Sequence, residues 1–111
     1  MKHVAFVSGL KFSNFDLLSR ACAVALETLI GDEQYLFEAQ DNSKLEGLLI
    51  QWADSTRKML GNNGITITPG NCKDMNCRGY DLVIVLGELN YWPYKKFVMD
   101  ARDAGIEILE Y

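Results

Sequence analysis

Residues 1–111 hold enough chain for one domain and too little for a second core. Eleven Lys and Arg against fifteen Asp and Glu leave a formal charge of −4, and 49% of the residues are hydrophobic against 23% charged. This balance excludes a disordered tail, a collagen-like fibre and a low-complexity linker, and the acidic excess argues against duplex nucleic acid, whose binding rests on clustered Lys and Arg.

Val4-Ala5-Phe6-Val7 is an apolar run closed by Ser8-Gly9, which predicts a buried strand ending in a tight turn. Ser13, with Asp16 three residues on, reads as an N-cap for a helix whose apolar face is Phe15, Leu18, Cys22, Ala25, Leu26 and Leu29, with Gly31 as its stop. Tyr35–Phe37 is a second short strand. Ser43 and Glu46 form a capping box for a second helix, buried through Leu45, Leu48, Leu49, Trp52, Met59 and Leu60 and ended by Gly61-Asn62-Asn63-Gly64. Ile65–Thr68 alternates as a third strand, and Pro69–Tyr80 has neither period and is predicted to be a loop. Leu82–Leu86 is a continuous apolar run, the mark of a strand buried on both faces in a parallel sheet. Asn90 is the predicted cap of a last helix lined by Tyr94, Phe97, Val98 and Ala101; Gly105 stops it and Ile106–Leu109 is the final strand. Strands alternating with amphipathic helices predict an α/β Rossmann-like domain: a doubly wound, mainly parallel sheet of about five strands with helices on both faces.

No apolar run approaches the roughly 18 residues of a membrane span, and no secretory leader pattern opens the chain. Three cysteines, Cys22, Cys72 and Cys77, fit a reducing compartment, and the expected location is cytoplasmic. The spacing of Cys72 and Cys77 suits half a zinc site, but a second Cys or His pair is missing, so no metal is assigned. His3 is the only histidine and lies at the start of the first strand, away from the expected site. Arg57-Lys58 and Lys95-Lys96 read as solvated helix faces.

Open parallel sheets bind ligands beyond the carboxyl ends of their strands, where strand order reverses. Ser8–Ser13, Ala39–Ser43 and Gly87–Trp92 should gather there. Gly9 lets backbone approach a ligand, Lys11 can neutralise a phosphate or carboxylate, and Ser8 or Ser13 can offer a hydroxyl. Tyr91 and Trp92 can stack on a base while Asn90 or Gln40 reads its edge, or they can close the core at the helix start; Tyr94 and Trp52 read as core.

The segments SGLKFS, YDLVIVLG and ARDAGIEILEY resemble the SLOG superfamily of Rossmann-like nucleotide-associated domains, in particular its small YpsA-like bacterial and phage members. In that family a Gly-Gly-Arg-Asp-Phe type segment follows the first strand, and Ser8-Gly9-Leu10-Lys11-Phe12 stands at its place. Asp81–Leu86 matches the strand before the phosphate loop, and Ala104–Ile108 matches the strand that follows the last helix. The resemblance implies a nucleotide-type ligand, and with the reading of the turns above the expected ligand-binding residues are Ser8, Gly9, Lys11, Phe12, Ser13, Gln40, Gly87, Glu88, Asn90, Tyr91 and Trp92. Where relatives carry consecutive glycines, this chain has Gly87-Glu88-Leu89-Asn90-Tyr91-Trp92-Pro93, and Glu88 would repel a phosphate placed there.

Glycosidic chemistry needs a well-placed carboxylate; Glu88, Asp41 and Asp16 are the candidates, and each also reads as a cap or surface charge. The expected function is therefore binding of a nucleotide or nucleotide-derived molecule without turnover and without a cofactor, as a sensor or a sequestering protein. The latter role suits a phage protein that blunts host nucleotide signalling. A protein–protein module or homo-oligomer with a decayed site, and a glycosidic-bond enzyme, are the alternatives.

Overall fold

A computed structural model describes residues 1–29, 34–60, 64–72 and 79–111. The predicted stop at Gly31, the turn residues Gly61, Asn62 and Asn63, and Cys77 lie outside the described residues, as do the side chains of residues 57–60, which include Met59 and Leu60.

Five strands, β1 (Lys2–Ser8), β2 (Tyr35–Gln40), β3 (Ile65–Gly70), β4 (Leu82–Leu86) and β5 (Glu107–Glu110), form one all-parallel sheet in the order β3-β2-β1-β4-β5. Among the described residues three helices, α1 (Phe15–Thr28), α2 (Ser43–Leu60) and α3 (Trp92–Asp103), follow β1, β2 and β4 respectively. This is the Rossmann-like strand order. The chain winds outward from β1 through β2 to β3, then returns to the other side of β1 with β4, so the order reverses between β1 and β4. Ser8 pairs with Leu86, which brings the ends of those two strands level.

Burial follows the alternation of the strands. Val4 and Phe6 of β1, and Leu82, Ile84 and Leu86 of β4, share one cluster with Leu18, Ala21, Cys22 and Ala25 of α1 and Leu45, Leu49, Trp52 and Ala53 of α2. The intervening Ala5, Val7, Val83 and Val85 share a second cluster with Tyr94, Phe97, Val98 and Ala101 of α3. Each fully buried Leu or Phe contributes roughly 1.5–3 kcal/mol. Phe37 stacks on Trp52 with centroids 5.9 Å apart, so Trp52 is core, and Tyr94, 1% exposed, is core as well.

Several boundaries differ from expectation for identifiable reasons. Asn14, not Ser13, caps α1: its side chain accepts the Leu17 N–H at 3.0 Å, and Ser13 is exposed. Asn42 takes the capping role before α2, its Oδ1 accepting the Leu45 N–H at 3.1 Å, so Ser43 is already helical. Tyr91 occupies the cap position of α3 in place of Asn90, with no side-chain capping bond, and Pro93 falls in the first turn where no N–H is missed. β3 runs two residues beyond Thr68 because Pro69 and Gly70 pair with Ala39 and Gln40; β3 is an edge strand, where a proline is tolerated. β5 is displaced one residue from Ile106–Leu109. Among the described residues no helix is long and apolar enough to cross a membrane.

Candidate functional site

The turn after β1 and the loop after β4 enclose a cavity of about 470 Å³ at the carboxyl edge of the sheet, where the strand order reverses. Its lining is Gly9, Leu10, Lys11 and Phe12 from the first turn and Leu86, Gly87, Glu88, Asn90 and Tyr91 from the second. The volume lies within the roughly 300–1,000 Å³ of small-molecule sites.

The first wall is a hydrogen-bonded turn in which the Phe12 N–H donates to the Gly9 carbonyl at 3.1 Å. Phe12 is half-buried and packs on the α1/α2 cluster, whereas Leu10 and Lys11 at the tip are exposed. In the second wall Gly87 has φ +76°, a left-handed conformation that a Cβ would strain. Gly9 is needed for a different reason. A Cβ there would lie 2.8 Å from the Glu88 carbonyl oxygen, so the missing side chain allows the two walls to touch. Gly9 thus borders both the cavity, as expected of a ligand-facing turn, and the opposite loop.

Charge in the lining is balanced between Lys11 and Glu88, and among the described residues neither side chain is hydrogen-bonded or ion-paired. Asn90 adds an exposed amide, and Tyr91 a half-buried ring that meets Tyr94 edge-on with centroids 5.0 Å apart. Burial, and after it the neighbouring Cys72, Asp41 and Tyr91, push the Tyr94 phenol up to about 12. Its hydroxyl donates to the Asp41 carbonyl at 2.9 Å.

Four of the expected site residues stand outside this lining. Ser8 is fully buried: its hydroxyl donates to the Gly9 carbonyl at 3.0 Å and accepts from Asn42 Nδ2 at 3.1 Å. Ser13 is exposed beside the Asn14 cap. Gln40 is fully buried, donating through Nε2 to the Tyr80 hydroxyl at 3.2 Å, and its amide lies where a Cβ on Gly70 would come within 2.6 Å. Trp92 is 60% exposed and lies outside the lining of this cavity. Leu10 and Leu86 were not expected in the wall; an apolar side chain carries no signal that separates lining from core.

Of the candidate carboxylates, only Glu88 reaches the cavity. Asp16 is an exposed first-turn residue of α1, and Asp41 accepts the Cys72 thiol at 3.3 Å from a backbone held at φ +43°. His3 lies away from the site and is paired with Glu38. Cys22 is buried, which pushes its thiol up and leaves it unreactive. A more open hollow of about 570 Å³ shares Gly87 with the cavity and lies between α3 and the end of β5. No family model, curated protein or solved structure matches this chain significantly.

Proposed function

We propose that the protein binds a nucleotide or nucleotide-derived small molecule in the cavity between the β1 turn and the β4–α3 loop, and does not turn it over. The observation that carries this reading is the cavity's position. Two turns expected from sequence to flank a site line one hollow, at the reversal point where open α/β sheets bind ligands. Lys11 meets an anionic group, Asn90 offers an amide to a base edge, and Tyr91 and Phe12 supply aromatic surface. The likeness of SGLKFS and YDLVIVLG to the SLOG superfamily supports the same ligand class.

Binding without chemistry is favoured by the lining itself. Glycosidic hydrolysis in its common forms uses two carboxylates across the scissile bond. Glu88 is the one carboxylate among the described lining residues, and the Ser8 hydroxyl is consumed by internal bonds.

Thermal shift and calorimetry with nucleotides, cyclic dinucleotides and ADP-ribose-type compounds test the reading, since a ligand at 100 times its Kd raises stability by about 2.7 kcal/mol. Lys11→Ala should weaken the anionic ligand by about 1.5–3 kcal/mol, the range for hydrogen bonds to charged groups, with the fold intact. Failure of every nucleotide to bind would end the proposal. The exposure of Trp92 favours the second reading, a protein-interaction module, which would show instead as a partner or self-association lost in Trp92→Ala.

A further inference from the structure

We infer that the cavity accepts a single phosphate, the nucleoside monophosphate class, and discriminates against di- and triphosphates, with Glu88 as the residue that sets the limit. This rests on the nucleotide reading above and narrows it.

Among the described lining residues there is one cation, Lys11, and one anion, Glu88. Neither is committed to a partner among the described residues, and both are exposed at the cavity, so both charges are available to what enters. A single phosphate carries about −1.5 to −2 at pH 7, and Lys11 can meet it. Each further phosphate adds about one negative charge that meets no second cation among the described lining residues and shares the cavity with the Glu88 carboxylate. Lys95 and Arg102 of α3 line the other hollow instead.

The backbone points the same way. Sites for several phosphates use runs of N–H groups presented by glycine-rich turns. The β4–α3 loop has one left-handed glycine, Gly87, and the next peptide turns its carbonyl oxygen against Gly9. The close approach at Gly9 also sets the Glu88 backbone against the opposite wall, which keeps the root of this exposed side chain at the rim of the cavity. A monophosphate on Lys11 leaves Glu88 free to accept hydrogen bonds from sugar hydroxyls.

Calorimetric titration of the whole chain with nucleoside mono-, di- and triphosphates of each base decides the matter. Divalent cations are excluded with EDTA, because a bound cation would supply the charge the wall lacks. The wild type should lose at least about tenfold in affinity at each added phosphate, the scale of a like-charge penalty at a partly open site. Glu88→Gln, which keeps the shape and removes the charge, should compress those steps to less than about threefold. Di- or triphosphates binding as tightly as the monophosphate to the wild type would overturn the inference while leaving the nucleotide reading standing. A gradient that persists unchanged in Glu88→Gln would remove Glu88 as its cause. No binding by any member of the series would overturn the nucleotide reading and this inference with it.

Discussion

Two corners of the same sheet edge, equally polar in sequence, are used in opposite ways. At the end of β2, Gln40, Asp41 and Asn42 turn inward. Asn42 donates to Ser8 and caps α2, Asp41 receives the Cys72 thiol and the Tyr94 hydroxyl, and Gln40 bonds Tyr80. Across the reversal point, Lys11, Glu88 and Asn90 are exposed around a cavity. The first corner is a polar staple between β1, β2, α2 and α3; the second keeps its charges available. A polar residue at the carboxyl edge is therefore a weak site candidate once its hydrogen bonds are used, as those of Ser8 and Asn42 are, whereas Gln40 keeps a buried Oε1 without a partner among the described residues.

The largest effect expected from the stapled corner is a pH dependence. The Tyr94 phenol is raised to about 12, first by burial and then by Cys72, Asp41 and Tyr91, so the fold holds the proton more tightly than the unfolded chain. Stability from this source is complete below the ordinary tyrosine value of about 10 and is lost as pH rises toward 12, by about 2–3 kcal/mol. Tyr94→Phe separates it from other titrations. Near pH 8 the wild type should be more stable than the variant by about 1 kcal/mol, the net value of the hydroxyl bond to Asp41. Between pH 10 and 12 that gap should close and reverse in denaturant titrations; a constant gap would mean that the phenol does not titrate with the fold.

Asn42→Ala should cost slightly less, about 2 kcal/mol. It removes a helix cap worth about 1 kcal/mol and leaves the buried Ser8 hydroxyl without its donor, worth about another 1 kcal/mol. Chemical denaturation should show a lower midpoint with the slope unchanged. An effect confined to ligand affinity, with stability intact, would move this corner from staple to site.

What the sequence discloses and what it conceals divide along the same line. β1 and β4 are legible because a strand buried on both faces has to be apolar at every position, and Val4–Val7 and Leu82–Leu86 are. The cavity walls are legible too, since a βαβ chain puts the turns after its central strands at the reversal point whatever their detail. The fates of Ser8, Gln40 and Asn42 are not, because each depends on a partner far along the chain: Ser8 on Asn42, Gln40 on Tyr80 and Gly70. The caps are off by one residue at Ser13/Asn14 and at Asn42/Ser43 because both residues of each pair are good caps, and the backbone entering the helix selects between them. The end of β3 was obscured by Pro69, which reads as a breaker until β3 is known to be an edge strand.

The smallest expected effect tests the boundary of the open corner. Trp92 is the first residue of α3, 60% exposed, and its side chain belongs neither to the cavity wall nor to either hydrophobic cluster. Trp92→Ala should change stability by no more than about 0.5 kcal/mol, as for a surface position, and the higher helix propensity of alanine offsets what little packing is lost. Ligand affinity should be unchanged as well, since the ring stacks on nothing in the wall. These values are well separated from the alternatives. A core aromatic would cost about 3–5 kcal/mol of stability, and a ring stacked on a base about 1–3 kcal/mol of affinity. Loss of affinity with full stability would show that the β4–α3 loop closes over the ligand and carries Trp92 onto it. Loss of a dimer or partner complex, read by sedimentation, would instead assign this exposed indole to a protein interface and place the second function on the outer start of α3.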